Sequence, residues 1–357
     1  MSQNSTGLPP TALLSAAILA VAICLGLLLA RAGRRAESRS SRHRAGDLFR
    51  MLSGRLAGSV TPRTLRHAVQ ESEADHFWNA IEAIVDTLRL TERFELARSL
   101  EKNRHAAAER LVLNHDDDHA RRELAARRLG LLPSPRSRRS LRRALVLGPE
   151  LVRFAAARAL ATHRDRGALR WILSHPDALA HRPVPVLSGL LRSFGPASRE
   201  LLVRAIEQNM PPPHLECALI DALGVSRCRS ARPAIEQRLR SPHTEVRIAA
   251  SRALGRLGQT EAAAALTLAL TDEAWPVRAL AAKSLGRVRA VSAVDALVER
   301  VSDRSWWVRH HAAYALAKVG SEGRDALCEL VVRSEDPYAR EMAREALDQQ
   351  VDPRRTA

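Results

Sequence analysis

The C-terminal half of the sequence repeats itself with a period of 31 residues. Arginine, alanine and leucine recur at three fixed places in this period: Arg247, Arg278, Arg309 and Arg340; Ala250, Ala281, Ala312 and Ala343; Leu254, Leu285, Leu316 and Leu347. Weaker copies begin at Leu151 and at Ala120. Self-similarity at a short fixed period indicates a repeat architecture, in which each unit buries its apolar face against its neighbours.

Each copy is interpreted as two helices. The first follows the pattern V-R-x-x-A-x-x-x-L, whose apolar residues recur at helical spacing. A short turn, a second amphipathic helix and a polar break such as Thr271–Pro276 then lead to the next copy. The composition agrees, because aromatic residues are only 3% of the chain while hydrophobic residues are 46%. The predicted fold class is all-α, an α-solenoid of helix pairs preceded by one transmembrane helix.

The repeated unit resembles a known family on particular residues. Asp272-x5-Arg278 and Asp303-x5-Arg309, each followed by A-A-x-x-L, resemble HEAT repeats, and specifically the 31-residue subtype named after phycobilisome lyases. The resemblance covers about residues 110–350. It implies that the first helices form the convex side and the second helices the concave side. It also implies that the aspartate and arginine bond between adjacent units, so the repeated arginines are interpreted as structural.

The N-terminal segment is typical of a membrane span. Thr11–Ala30 is an uncharged, largely apolar run of 20 residues, and Arg31, Arg34 and Arg35 follow it directly. Such a run is long enough to cross a bilayer. The positive-inside rule then predicts a single-pass protein of the inner or plasma membrane, with its N-terminus outside and its solenoid in the cytoplasm. A cleavable signal peptide is the alternative, but no basic residue precedes the run.

The predicted organisation has six parts. They are a short external N-terminus (1–10), the transmembrane helix (11–30), a basic and partly disordered linker (31–71), divergent capping helices (72–112), HEAT-like repeats (113–350) and a frayed tail (351–357). Within the linker, 46–56 could form a short basic amphipathic helix. The linker either contacts anionic lipid or serves as a topology signal and tether, and the sequence leaves both open.

A second basic cluster, between Arg121 and Arg143, offers a candidate binding surface. It contains nine arginines and one acid. Four of the arginines fall on or near a second helix: Arg138, Arg139, Arg142 and Arg143. They could bind an acidic partner or an anionic headgroup, or they could simply be a solvated face. The sequence argues against nucleic acid as the partner, because the excess charge is local rather than spread along the solenoid.

Four aromatic residues occupy related places in successive units. Trp275 and Trp306 are equivalent, as are Trp307 and Tyr338. They therefore align along one edge of the predicted solenoid, where they either pack on the neighbouring repeat or anchor a partner protein. Trp and Tyr are frequent anchors of protein interfaces.

Signals for catalysis are weak. The tract His115-Asp-Asp-Asp-His119 has metal-ligand spacing, yet it falls at an inter-repeat turn, where acids cap the next helix. HEAT-type deoxyhypusine hydroxylases carry His-Glu pairs as iron ligands, and none of the 13 histidines here precedes a glutamate. We therefore predict no catalytic residue, metal or cofactor. The predicted function is a non-catalytic, membrane-anchored scaffold or regulator that binds a protein, and a membrane enzyme complex is a candidate partner. A lyase-like or oxidoreductase enzyme of the HEAT-like family is the alternative.

Overall fold

The computed structural model describes residues 46–208 and 211–351. All regular secondary structure in these two ranges is helical, and no strand occurs in them. This confirms the all-α prediction for that part of the chain. The chain divides into two compact units, one up to Ser140 and the other from Leu141 onward.

The helices of the first unit are short and amphipathic. They are α1 (46–56), α2 (Pro62–Glu71), α3 (Ala74–Val85), α4 (Leu90–Ser99), α5 (Arg104–His115) and α6 (His119–Leu131), and α7 (Pro135–Leu147) runs through the division between the units.

The first two helices lie in the segment 31–71, which the sequence assigned to a linker. Leu48 and Leu52 of α1 are buried, and so are Leu65 and Val69 of α2. Residues 46–71 of the segment assigned to a partly disordered linker therefore contain two packed helices, and α1 coincides with the short amphipathic helix suggested at 46–56. Burial of apolar area within the protein offsets the entropy of ordering this arginine-rich stretch.

Residues 72–112 contain α3, α4 and most of α5, which is three helices where the sequence suggested a capping pair. Phe77 and Trp78 of α3 are fully buried and pack edge to face, with ring centroids 4.9 Å apart. His105 of α5 stacks on Phe77 at 4.7 Å. Burial lowers the pKa of His105, so its ring packs in this core as a neutral group.

The second unit alternates longer and shorter helices. The first helices are α8 (Glu150–Thr162), α10 (Val184–Ser193), α12 (Pro213–Val225), α14 (Thr244–Leu257), α16 (Trp275–Val288), α18 (Trp306–Val319) and α20 (Pro337–Val351). The second helices are α9 (Arg166–Ser174), α11 (Arg199–Gln208), α13 (Arg232–Gln237), α15 (Ala263–Leu268), α17 (Val294–Arg300) and α19 (Ser321–Arg333). Each first helix packs on the first helix of the next pair, which is the stacking expected of a solenoid.

Small residues set the spacing of this stack. The repeated Ala250, Ala281 and Ala312 are fully buried, as are Leu254 and Leu285 one helical turn further on. The core register predicted from the repeat is thus confirmed.

Glycines bring the first helices even closer. A Cβ added at Gly255 of α14 would stand 2.9 Å from Ser284 Cα of α16. Gly286 makes the same approach one unit later, where an added Cβ would stand 2.7 Å from Ala315 Cα. The contact between adjacent first helices is therefore partly backbone against backbone, and a larger residue at these two positions would separate them.

Within residues 46–208 and 211–351, no helix combines the length and the apolar character needed to cross a membrane. The predicted span Thr11–Ala30 lies outside the described residues, as does most of the predicted tail.

Candidate partner-binding edge

A ladder of arginines and aspartates joins successive units. Arg247 donates two parallel hydrogen bonds to the carboxylate of Asp272, at 2.8 and 3.0 Å. Arg278 binds Asp303 in the same way, at 2.8 and 2.9 Å. Both pairs lie mostly out of solvent, and paired fork geometry of this kind is the strong form of an ion pair. The interpretation of these two arginines as structural is confirmed.

The same aspartates position the next first helix. Asp272 Oδ1 accepts a hydrogen bond from the backbone N–H of Ala274 at 2.9 Å, and Asp303 Oδ1 accepts one from Ser305 at 2.8 Å. Ala274 directly precedes Trp275, the first residue of α16. Each aspartate therefore ties the preceding unit to the turn from which a tryptophan projects.

Burial and hydrogen bonding act in opposite directions on Asp303. Burial raises the pKa of this carboxyl, while the hydrogen bonds from Arg278 and from the Ser305 N–H lower it. The net pKa lies below the ordinary aspartate value, so the ionised form is the one that the ladder stabilises.

The four aromatic residues at the starts of the last three first helices are exposed. We call them the aromatic edge: Trp275, Trp306, Trp307 and Tyr338, which are 46%, 44%, 52% and 61% exposed. Trp306 and Trp307 pack edge to face at 4.8 Å. None of the four side chains is fully buried, so each can pack partly on its neighbouring repeat and still be open to a partner. Large aromatic groups that remain this open on a packed scaffold are candidates for contact with another molecule.

Rings continue from the aromatic edge along α18. His310 stacks on Trp306 at 4.9 Å and lies 4.2 Å from the ring of Tyr314, so three rings follow one another at four-residue spacing. Tyr314 donates a hydrogen bond to Glu345 of α20 at 3.1 Å. Burial and this carboxylate together raise the pKa of Tyr314 to about 12. The sequence analysis gave His310 no role, although the four-residue spacing of Trp306, His310 and Tyr314 is visible in the sequence.

The adjacent His311 is neutral at physiological pH. Burial lowers its pKa to about 4, and the positive charges of Lys283 and Lys318 act in the same direction. Burial also lowers the pKa of His310. The aromatic edge therefore borders uncharged imidazoles, which extend its amphipathic surface.

The four arginines proposed as a binding patch do not share one role. Arg142 binds the buried carboxylate of Asp165 through two hydrogen bonds of 2.9 Å. Asp165 in turn caps α9 by accepting from the Ala168 N–H at 3.0 Å. Within the first unit, the Arg138 guanidinium lies over the ring of Phe94, 5.6 Å from its centroid. Arg138 and Arg142 therefore support the fold, while Arg139 and Arg143 are exposed.

The tract from His115 to His119 lies at the turn between α5 and α6. Asp118 accepts hydrogen bonds from the N–H groups of Ala120 and Arg121, at 2.8 and 3.4 Å, and so caps α6. Asp118 therefore acts as a helix cap, which was the alternative to metal binding for this tract. Among the described residues, no three His, Cys, Asp or Glu side chains are grouped as a metal site would require.

Comparison with known proteins bears on the repeats. The model of HEAT repeats matches residues 184–279 and 264–348. Residues 184–348 are therefore similar to HEAT repeats. The matched region includes the whole aromatic edge and the Arg–Asp ladder, whereas the four arginines of α7 precede it.

Several solved structures align with most of this chain at low identity. YibA of Escherichia coli is 15% identical, with 81% of this chain and 96% of that one covered and a TM-score of 0.38. The complex of CpcE and CpcF of phycocyanin lyase from Nostoc sp. PCC7120 is 20% identical, with 81% and 94% covered and a TM-score of 0.26. Human deoxyhypusine hydroxylase in complex with glycerol is 18% identical, with 87% and 97% covered and a TM-score of 0.30. No curated protein sequence matches the chain. Similarity at this level carries no inference about activity.

Proposed function

We propose that this protein is a non-catalytic scaffold or regulator whose HEAT repeats hold a partner protein. The observation that carries the proposal is the exposure of the aromatic edge, where Trp275, Trp306, Trp307 and Tyr338 project from successive helix starts. Protein interfaces draw much of their affinity from a few Trp, Tyr and Arg side chains. The aromatic edge supplies three such tryptophans and a tyrosine on one continuous stack of helices.

The ladder favours binding because it holds these side chains in place before a partner arrives. Asp272 and Asp303 each bond both to an arginine of the preceding unit and to the turn before the next first helix. Binding of a partner therefore loses little conformational entropy in the backbone that carries Trp275 and Trp306. Such preorganisation raises affinity without additional contact area.

Membrane anchoring is the second part of the proposal. Thr11–Ala30 would span the bilayer with the N-terminus outside and the HEAT repeats in the cytoplasm, as the arginines after the run suggest. An anchored scaffold meets a membrane-bound partner at a high effective concentration, so modest contacts suffice. A membrane enzyme complex is the partner class that this arrangement favours.

Capture from native membranes tests the binding role. The full chain and Trp306→Ala are compared by quantitative mass spectrometry of co-purifying proteins, with circular dichroism to confirm folding. Trp171→Ala is the matched control, because Trp171 stacks on His175 in α9, away from the aromatic edge. We expect Trp306→Ala alone to lose specific partners. Equal recovery by all three proteins would contradict the proposal.

A reporter fused after Ala357 tests the anchoring. We expect activity only from a reporter that works in the cytoplasm, and a weaker orientation when Arg31, Arg34 and Arg35 are replaced together. Activity of an export-dependent reporter on the intact chain would refute the N-out orientation.

A further inference from the structure

The Arg–Asp ladder ends abruptly at its third position. Arg309 is equivalent to Arg247 and Arg278, but the place of Asp272 and Asp303 is taken in the next unit by Ser334. Among the described residues, no carboxylate lies within ion-pair distance of Arg309. Its Nε is buried and has no hydrogen-bond partner in this part of the chain. A buried donor without a partner is uncommon and costs stability.

The guanidinium of Arg309 is nevertheless held as its two equivalents are. Its Nη1 donates to the carbonyls of Asp303 and Arg304, at 3.0 and 3.3 Å. In Arg278 the same atom donates to the carbonyls of Asp272 and Glu273, the corresponding residues one unit earlier. Nη1 of Arg309 is therefore bound to backbone carbonyls, as it is in Arg278. The Nε and Nη2 atoms of Arg309 are the ones that, in Arg278, bind the carboxylate of Asp303.

An exposed ring now covers that guanidinium. The ring centroid of Tyr338 lies 5.2 Å from Arg309 Cζ, and Tyr338 is the most exposed member of the aromatic edge. A cation over an aromatic face is a favourable contact, but it leaves the hydrogen bonds of the fork unmade. The tyrosine can rotate away without disturbing the core, because it projects from the second residue of α20.

We propose that Arg309, covered by the ring of Tyr338, is a binding site for an aspartate or glutamate side chain of the partner protein. The inference rests on the proposed function, since it assigns chemistry to the partner that contacts the aromatic edge. A carboxylate is the ligand because the same fork, anchored in the same way, holds a carboxylate in both preceding units.

A peptide copied from the ladder itself tests the site. Asp272 and Glu273 both accept hydrogen bonds from Arg247. The fluorescein-labelled peptide Thr-Asp-Glu-Ala-Trp, which copies residues 271–275, therefore carries the two carboxylates that bind the equivalent arginine. Its binding to the full chain is measured by fluorescence anisotropy, beside a control peptide with Asn and Gln in place of Asp and Glu. We expect the acidic peptide to bind about tenfold more tightly, the ratio that loss of a charge-assisted pair typically produces.

Variants locate the binding. Arg309→Gln should weaken binding of the acidic peptide about tenfold, and Arg309→Lys should recover only part of it because lysine lacks the fork. Arg289→Gln is the control, an exposed arginine beyond the far end of α16. Ser334→Asp should fill the fork from within the chain, block the peptide and raise the melting temperature. Ser334→Asn should do neither.

The outcomes separate this inference from the proposed function. Equal binding of both peptides, or acidic-peptide binding that is unchanged in Arg309→Gln and Ser334→Asp, would overturn the carboxylate site and leave the scaffold proposal standing. Binding that depends on Arg309, combined with partner capture that Trp306→Ala does not alter, would support the site and contradict the scaffold proposal.

Discussion

Gly255→Ala should destabilise the protein even though alanine is the better helix former. Gly255 lies inside α14, where replacing glycine by alanine ordinarily stabilises a helix by about 1 kcal/mol. Here the new Cβ would stand 2.6 Å from Ser284 Cβ and 2.9 Å from Ser284 Cα on α16. Carbon atoms pack best at roughly 3.5–4.0 Å, so the two helices must move apart by about 1 Å.

The change in the free energy of unfolding is the difference between the cost of overpacking and the gain in helix propensity. Overpacking of this kind costs about 1–3 kcal/mol, and backbone atoms cannot move aside as a flexible side chain would. Ser284 also donates a hydrogen bond to the Ser251 carbonyl at 2.7 Å, which links α16 to α14 and would be strained by the shift. Subtracting the gain in helix propensity leaves a cost of about 0–2 kcal/mol, and strain in this hydrogen bond adds to it, so we expect a net loss of about 1–2 kcal/mol in the free energy of unfolding.

Gly189→Ala is the matched control because the same substitution meets open space. Gly189 is also inside a helix, α10, and an added Cβ would find only the end of the Arg192 side chain, at 3.9 Å. This variant should be more stable than the wild type by about 0.5–1 kcal/mol.

Urea unfolding of the full chain, followed by the helical circular dichroism signal, measures the free energy of unfolding of both variants. The prediction is a difference in sign between two chemically identical substitutions. If Gly255→Ala were as stable as Gly189→Ala, the close approach of α14 and α16 would be wrong.

Three further predictions concern the core, the ladder and a turn. Leu285→Ala should cost about 2–5 kcal/mol in urea unfolding because Leu285 is fully buried, and a loss below about 0.5 kcal/mol would contradict its core position. The pKa of Asp303 is lower in the folded state, so its contribution is fully present above the unfolded pKa and is lost as pH falls through the folded pKa. Urea midpoints measured through that acidic range should therefore fall less steeply in Asp303→Asn, and identical slopes would refute the ladder's role. Arg289 has a left-handed φ of 52° at the position where Gly258 ends the preceding first helix, so Arg289→Gly should raise the melting temperature by the equivalent of about 1 kcal/mol. A lower melting temperature would show that the arginine makes a compensating contact.

Much of the repeat core could be predicted from the sequence because the repeat is a local pattern copied along the chain. Hydrophobic spacing placed Leu285 and its equivalents in the core, and the resemblance to HEAT repeats, carried by Asp303 and Arg309, implied bonds between units. The candidate site was predicted only as a choice of alternatives. Whether a tryptophan at the start of a helix is buried depends on the neighbouring unit, which a single repeat does not specify.

The arginines of α7 also show that contacts with residues distant in the sequence could not be predicted from a local pattern. Arg139 and Arg142 are both exposed residues of one basic run, yet Arg142 binds Asp165, which comes 23 residues later in the chain. A run of like charges indicates a solvated surface until its partners are known, and ion pairs with distant residues depend on how the chain folds back.

The sequence by itself determined the helix pairs, their period and the residues that pack between them, because these follow from spacing along one stretch of chain. Only the tertiary structure decided that α1 and α2 fold onto the first unit, that Trp306 remains open, and that the fork of Arg309 lacks the carboxylate its equivalents bind. Arg278 and Arg309 occupy the same place in the repeat. They differ because the group that meets each guanidinium comes from the following unit, the carboxylate of Asp303 in one case and the ring of Tyr338 in the other. Pairing across units is a property of the assembled stack.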